Sequence, residues 1–277
     1  MNERVRAKKS LGQNFLSDSN IQRRIVNALE PEATDVVLEI GPGMGALTHH
    51  LLGAVKQLIA IELDDTLAER LQLEQAGRED FKLVHANALE VDFGELGLPE
   101  DYKAIGNIPY NITTPLLFKL LEYAHRPRLI VVMVQKEVAD RITSEPGNKE
   151  YGALSVGVQS VATAERLFTV ARGAFRPVPG VDSAIVRITP FHPPRLSEAE
   201  ENDVRSLTRA TFAHRRKQLQ KVLRTTAPYT LDAVQIAHLE QATGLQLEAR
   251  PETLSAEQFI ALARALRGLG LPQTVAA

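Results

Sequence analysis

The stretch Val36-Val-Leu-Glu-Ile-Gly-Pro-Gly-Met-Gly45 joins a short apolar run to three closely spaced glycines. The apolar run is rich in β-branched residues and stops at the glycines, which is typical of a buried parallel strand. A helix is predicted to begin at Ala46-Leu-Thr48. Strand, glycine-rich turn and helix form the unit that cradles a nucleotide in a doubly wound α/β sheet, because glycines let a ligand approach the backbone closely.

The spacing of the glycines indicates the kind of ligand. A dinucleotide site prefers Gly-x-Gly-x-x-Gly, whereas this chain has Gly-x-Gly-x-Gly preceded by Glu39. This pattern favours S-adenosylmethionine, whose amino-acid end needs no phosphate site. Glu62 follows the next strand, where its carboxylate can accept hydrogen bonds from both ribose hydroxyls. Asn87 follows the strand after that, where we expect it to meet the adenine edge.

Length and composition restrict the class of protein. The 277 residues, 44% hydrophobic and 24% charged, are enough for one large and one small globular domain. The chain has no cysteine, which excludes disulfides and a cysteine nucleophile, and its seven histidines are not spaced as ligands, so we expect no metal. No run approaches the roughly 18 apolar residues of a membrane span. We therefore expect a cytoplasmic protein.

A proline cluster marks the predicted domain boundary. The alternation of strands and helices continues to a strand at residues 184–188, and Pro190, Pro193 and Pro194 then interrupt all periodicity. Beyond them the pattern is helical, with the last helix beginning at Ser255. The sequence predicts a catalytic domain over residues 1–192 and an α-helical domain over residues 193–277.

The candidate catalytic motif is Gly106-Asn-Ile-Pro-Tyr110, at the predicted end of the fourth strand. Asn107 offers an amide oxygen, Pro109 fixes one φ angle and Tyr110 supplies a flat face, a combination that suits a planar amine. Asn-x-Pro is also ordinary turn chemistry, so a purely structural turn is the alternative. Phe175 lies in a proline-rich loop and is either a core residue or a second stacking face.

Two segments are basic. Residues 205–224 contain seven Lys and Arg residues and no acid, and the first ten residues contain four Lys and Arg residues. Residues 205–224 lack the acidic partners of ordinary i,i+4 pairs. We therefore predict that this segment contacts a polyanion; a solvated helix face is the alternative.

Six motifs together resemble one family, the ribosomal RNA adenine N6,N6-dimethyltransferases, and in particular its bacterial small-subunit (16S) members, which are associated with kasugamycin sensitivity. The motifs are Gly12-Gln-Asn-Phe-Leu16, Glu39 to Gly45, Ile61-Glu62, Asn107-Ile-Pro-Tyr110, Phe175 to Ser183 and Phe212 to Lys217. The resemblance implies a Rossmann-like methyltransferase sheet of seven mostly parallel strands followed by an all-α RNA-binding domain. The cofactor residues would be Asn14, Leu16, Gly41, Gly43, Gly45, Glu62, Asn87 and Asn107. The family usually has Asp at the position of Asn87.

The implied reaction is the transfer of methyl groups from S-adenosylmethionine to two adjacent adenosines of the 3′-terminal hairpin of 16S ribosomal RNA. The substrate is either the naked 16S ribosomal RNA or the immature small subunit, and we expect the protein to be a monomer. The Asn107 oxygen and the Pro109 carbonyl would accept the two N6 hydrogens, while Tyr110 and Phe175 would stack on the base. The RNA-binding residues would be Arg4, Arg6, Lys8, Lys9, Arg209, Arg215, Arg216, Lys217 and Lys221. The alternatives are a large-subunit (23S) dimethyltransferase of the macrolide-resistance type and a non-catalytic RNA-binding assembly or transcription factor.

Overall fold

The computed structural model describes residues 7–8 and 11–270 of the chain. The chain divides into two compact units, which we call the sheet unit (Met1–Ala139 and Ala164–Pro190) and the helical unit (Asp140–Thr163 and Phe191–Ala277). Within the described residues, no helix is both long and apolar enough to cross a membrane.

The sheet unit is built on seven strands. In chain order these are β2 (Val36–Ile40), β3 (Gln57–Glu62), β4 (Phe81–His85), β5 (Lys103–Asn107), β6 (Leu129–Gln135), β7 (Ala162–Val170) and β9 (Ser183–Pro190). Their order across the sheet is β4-β3-β2-β5-β6-β9-β7. Pairs from β4 through β6 are parallel, and β9 runs antiparallel to β6. The predicted α/β fold with a seven-stranded, mostly parallel sheet is confirmed.

This strand order determines where the site lies. Strand β2 sits between β3 and β5, so the chain reverses its direction of travel across the sheet there. In such a sheet a ligand binds outside the carboxyl ends of the strands at the reversal point. The glycine turn, Glu62 and Asn107 each follow or end one of these three central strands, and the fold therefore brings them to one edge.

The helices of the sheet unit are α1 (Ser19–Ala28), α2 (Thr48–Leu51), α3 (Asp65–Glu74), α4 (Thr113–Leu120) and α5 (Lys136–Ile142), the last of which ends in the helical unit. Asp18 caps α1 by accepting hydrogen bonds from the backbone N–H groups of Asn20 and Ile21. Helix α4 begins at Thr113, and its N-cap residue, Ile112, makes no side-chain capping hydrogen bond.

A second, two-stranded sheet was not predicted. Strand β1 (Phe15–Leu16) pairs antiparallel with β8 (Phe175–Arg176), with Leu16 opposite Phe175. Two-residue strands give no periodicity for a sequence pattern to detect. Their pairing fixes the N-terminal segment against the sheet unit.

The helical unit contains α6 (Ala153–Gln159), α7 (Glu198–Phe212), α8 (Leu219–Thr225), α9 (Ala233–Thr243) and α10 (Ala256–Gly268). Helix α10 follows Ser255, the predicted start of the last helix, and Ser255 caps it in a capping box with Gln258. The unit differs from the predicted domain in including residues 140–163. Tyr151 and Val156 of this segment are fully buried in one hydrophobic cluster with residues of α7 and α10. Tyr151 and Val156 thus pack with helices that begin some forty residues or more after them in sequence, and no local pattern reveals such a partner.

Candidate active site

A cleft of about 310 Å³ opens at the carboxyl edge of the central strands. Its lining residues come from five segments of the sheet unit, namely residues 11–16, residues 39–44 with 46–47, residues 61–63 with Leu67, residues 86–89, and residues 107–112. The cleft therefore collects all the segments that the sequence marked for cofactor and amine binding, apart from the Phe175 loop.

The glycine turn depends on left-handed backbone. Gly41, Gly43 and Gly45 have φ angles of +68°, +58° and +79°, which residues with a side chain rarely adopt. Gly41 and Gly43 line the cleft, whereas Gly45 does not. A Cβ at Gly45 would stand 2.6 Å from the His49 ring, so this glycine shapes the turn rather than meeting a ligand.

Glu62 is almost fully buried and is oriented by backbone groups. Its Oε2 accepts from the Gly43 N–H at 2.9 Å, and its Oε1 accepts from the N–H groups of Leu63 and Asp64, both at 2.9 Å. Burial raises the pKa of the Glu62 carboxyl, and these three hydrogen bonds act in the opposite direction. A carboxylate has about four acceptor sites, so one on Oε2 remains for a ligand hydroxyl.

Glu39 forms the floor of the cleft beneath the glycine turn. It is 1% exposed, and its Oε2 accepts a hydrogen bond of 2.7 Å from the Thr48 hydroxyl. Burial raises the pKa of Glu39 to about 7, the Thr48 hydrogen bond opposes the rise, and the nearby Glu62 adds to it. The cleft thus has, besides Glu62, a carboxyl group whose pKa is raised to about 7 by burial.

Asn87 lies in the cleft lining, where its amide is engaged within its own loop. Its Oδ1 accepts from the Leu89 N–H at 3.1 Å, and its Nδ2 donates to Glu90 at 2.7 Å. The oxygen retains one acceptor direction, so the predicted contact with an adenine amino group would share this atom with the Leu89 backbone.

Asn107 ends β5 with its carboxamide fixed in one orientation. Its Nδ2 donates to the backbone carbonyl of Asn14 at 3.1 Å. Because a carbonyl can only accept, the amino end of the carboxamide must face Asn14, which leaves Oδ1 available as an acceptor on the other side. The neighbouring Gly106 permits the close approach of β5 to β2, since a Cβ there would stand 2.7 Å from the Ile40 carbonyl oxygen.

The structure assigns Pro109 a role different from the predicted one. Its carbonyl accepts from the Ile112 N–H at 3.1 Å and from the Thr113 hydroxyl at 3.2 Å, so both lone pairs serve the turn that starts α4. The preceding carbonyl, that of Ile108, has no donor within the described residues, and Ile108 lines the cleft. Of the two carbonyls that follow Asn107, the one without a donor within the described residues is therefore that of Ile108.

Tyr110 lines the cleft, and Phe175 does not. The Tyr110 hydroxyl lies 2.8 Å from the Ser183 hydroxyl; burial raises the pKa of Tyr110, and this hydrogen bond opposes the rise. Phe175 is fully buried in the hydrophobic core. In β8 its side chain points inward while Arg176 points outward, so the predicted stacking role of Phe175 is corrected to a core role.

The predicted RNA-binding residues have different environments. Lys8 pairs with Asp64 at 3.0 Å, and Arg215 pairs with Glu252 and donates to the Lys149 carbonyl at 2.7 Å. These two side chains are thus held by other parts of the chain, because acids distant in sequence supply the counter-charges. The exposed members of the set are Arg209, Arg216, Lys217 and Lys221, while Arg4, Arg6 and Lys9 lie outside the described residues.

Several residues of the cleft were not predicted to act there. Gln13 and Phe15 line it beside the predicted Asn14 and Leu16, and the Phe15 ring would be 3.4 Å from a Cβ at Gly43. Leu63 lines it as well and is 47% exposed. The one available signal was position, since Gln13 and Phe15 belong to the Gly12-Gln-Asn-Phe-Leu16 motif and Leu63 follows Glu62.

Comparison with known proteins gives a consistent picture. Residues 4–266 match the family described as ribosomal RNA adenine dimethylase. A protein of Pseudomonas putida named ribosomal RNA small subunit methyltransferase A is 43% identical, over 95% of this chain and 97% of its own. A protein of the same name from Geobacter metallireducens is 39% identical, over 97% of this chain and 98% of its own.

Solved structures agree with the sequence relatives. A dimethyladenosine transferase from Plasmodium falciparum superposes with a TM-score of 0.77 at 25% identity, covering 93% of this chain and 98% of its own. The 23S rRNA methyltransferase ErmE superposes with a TM-score of 0.71 at 28% identity, covering 92% of this chain and 100% of its own. Because the family matches almost the whole length of the chain, the chain belongs to the ribosomal RNA adenine dimethylase family.

Proposed function

We propose that the protein transfers methyl groups from S-adenosylmethionine to the N6 atoms of two adjacent adenosines in the 3′-terminal hairpin loop of 16S ribosomal RNA. The observation that carries the proposal is the Asn107 carboxamide, which is anchored through its nitrogen to Asn14 and so presents its oxygen to an amine. The names of the bacterial relatives, ribosomal RNA small subunit methyltransferase A, support the small subunit as the substrate.

The cleft residues fit S-adenosylmethionine. The left-handed glycine turn gives a ligand access to the backbone, the free acceptor site of Glu62 suits a ribose hydroxyl, and the Asn87 oxygen suits the adenine amino group. Asn14 and Leu16 would close the cleft from the N-terminal side. When bound, the cofactor supplies an electrophilic methyl group.

The chemistry required of the protein is to make the adenine N6 a nucleophile. The N6 lone pair is delocalised into the ring, so the amine attacks poorly while it is planar. If the Asn107 oxygen and the Ile108 carbonyl each accept one N6 hydrogen, the nitrogen moves toward tetrahedral geometry and directs its lone pair at the methyl group. The new N6–carbon bond would form as the methyl–sulfur bond of the cofactor breaks, with S-adenosylhomocysteine as the leaving group. The methylated nitrogen is then cationic and acidic enough to release its proton to water, so no strong general base is required.

The target base must leave its stack to reach this position. The Tyr110 ring lines the cleft beside Asn107 and is held by Ser183, so it is suited to stack on an extruded adenine. Such a stack contributes about 1–3 kcal/mol. In the helical unit, the exposed Arg209, Arg216, Lys217 and Lys221 are suited to contact the RNA backbone.

The test is to incubate the protein with labelled S-adenosylmethionine and with isolated small ribosomal subunits that lack the modification, and to map the labelled bases. We expect label at N6 of two adjacent adenosines near the 3′ end of 16S ribosomal RNA. Large subunits serve as the parallel substrate, because the similarity to a 23S rRNA methyltransferase makes them the specific alternative. Label on large subunits alone would contradict the proposal, as would the absence of transfer to either.

A further inference from the structure

The N-terminal segment is attached to the sheet unit by a charged cluster, which we call the Asp64 latch and which consists of Lys8, Gln13 and Asp64. Lys8 Nζ and Gln13 Nε2 each lie 3.0 Å from the same carboxylate oxygen, Asp64 Oδ2. The Lys8 N–H also donates to Gln13 Oε1 at 2.7 Å. Asp64 is 3% exposed, so its charge needs compensating donors, and Lys8 Nζ is the cationic one.

The latch is hydrogen-bonded directly to Glu62, the last residue of β3. The other Asp64 oxygen caps α3 by accepting from the backbone of Thr66 and Leu67 at 3.0 and 3.3 Å, and the Asp64 N–H donates to Glu62. Burial acts to raise the pKa of Asp64, but the hydrogen bonds from Lys8 and Gln13 hold it below its ordinary value. The carboxylate is therefore ionised and fixed at both oxygens.

The other end of the same segment is joined to the catalytic motif. The Asn14 carbonyl accepts from Asn107 Nδ2, and a Cβ at Gly12 would stand 3.3 Å from the Asn111 side chain. Residues 11–16 all line the cleft. One short segment thus runs from the latch, two residues beyond Glu62, to the side chain that would orient the amine.

We propose that Lys8 and Gln13 are positioning residues, which act through Asp64 to hold residues 11–16 across the cleft so that the Asn14 carbonyl orients the Asn107 carboxamide. The inference rests on the proposed function and adds two residues to it. It also gives Lys8 a role in cofactor binding instead of the RNA contact expected from its charge.

The decisive variant is Asp64→Asn. Asparagine caps a helix about as well as aspartate, so the cap of α3 is retained while the anionic acceptor of Lys8 and Gln13 is lost. Asp18→Asn is the matched control. Like Asp64, Asp18 caps a helix by accepting from the backbone N–H groups two and three residues later, here those of Asn20 and Ile21. Unlike Asp64, it has no cationic side chain bonded to it in the described structure. Melting temperatures of both variants exclude a general loss of folding.

Two measurements without RNA test the latch itself. Calorimetry should show about tenfold weaker S-adenosylmethionine binding for Asp64→Asn, since hydrogen bonds to a charged group are lost, and no change for Asp18→Asn. In the ligand-free protein, hydrogen exchange of the amides in residues 11–16 should be faster in Asp64→Asn. Gln13→Ala and Lys8→Ala should change both quantities in the same direction, and Lys8→Arg should restore them.

A third measurement separates positioning from simple binding. At saturating S-adenosylmethionine, the kcat of Asp64→Asn should remain below that of the wild type, because Asn107 is no longer held. Unchanged cofactor affinity and unchanged exchange in Asp64→Asn would overturn the inference, and so would a Lys8→Ala variant that alters only the KM for RNA. A wild-type protein that binds no S-adenosylmethionine would instead overturn the proposed function.

Discussion

Replacing Glu39 by glutamine tests the electrostatics of the cleft floor. In the unfolded chain this carboxyl ionises near its ordinary value of 4.5, whereas burial raises its pKa to about 7 in the folded protein. Between these values the folded protein holds a proton that the unfolded chain has released. The free energy of unfolding therefore falls as the pH rises from about 4.5 to about 7, and this contribution is constant above that range.

The size of the effect follows from the two pKa values. The difference between 4.5 and about 7 corresponds to about 3 kcal/mol, at 1.36 kcal/mol for each pH unit. Glutamine stays neutral and can still accept the Thr48 hydrogen bond, so Glu39→Gln should lack this loss of stability. As the pH rises from 4.5 to 8, the free energy of unfolding of the variant should therefore increase by about 3 kcal/mol relative to that of the wild type.

The assay is urea denaturation of the ligand-free protein at a series of pH values. Glu95→Gln is the control, because Glu95 is exposed and its replacement leaves the buried carboxyl in place. If Glu39→Gln and the wild type lose stability in parallel across this pH range, Glu39 ionises in the folded protein as it does in the unfolded chain. The reasoning from burial would then be wrong.

Three further outcomes follow from the contacts. Gly106→Ala should lower the free energy of unfolding by about 1–3 kcal/mol in urea denaturation, because the new Cβ would stand 2.7 Å from a backbone oxygen of β2. Ser183→Ala and Tyr110→Phe should each raise the KM for RNA several-fold, because each removes the same hydrogen bond of about 1 kcal/mol. The double variant should have a KM no higher than that of either single variant. Arg215→Ala should lower the melting temperature of the protein, whereas Arg216→Ala should leave it unchanged and reduce the salt dependence of RNA binding.

The fold was predictable because its signals are local. Strand β2 has the predicted boundaries, since a β-branched run that stops at glycines is a property of neighbouring residues. The sequence does not assign residues 140–163 to the helical unit, because the burial of Tyr151 and Val156 depends on helices that begin some forty residues or more later in the chain. Local periodicity carries no information about such a partner.

In the candidate site, too, the sequence predicted the features that depend on neighbouring residues but not those that depend on distant contacts. Residue types at strand ends pointed to the cleft, because the carboxyl ends of parallel strands meet at one edge. What each side chain does there depends on contacts across the fold. The Pro109 carbonyl is used by its own turn, Phe175 faces the core, and Lys8 is held by Asp64. Each of these three assignments required a hydrogen-bond partner or a burial that residue type alone does not reveal.

The central claim is that the Asn107 oxygen orients the target amine, and Asn107→Ala tests it most directly. Calorimetry with S-adenosylmethionine and single-turnover methylation of unmodified small subunits should be measured on the same preparation. We predict cofactor binding within a few-fold of the wild type and a loss of transfer of at least about a hundredfold, since a group that acts in the transition state is removed. A variant that methylates RNA at the wild-type rate would contradict the account.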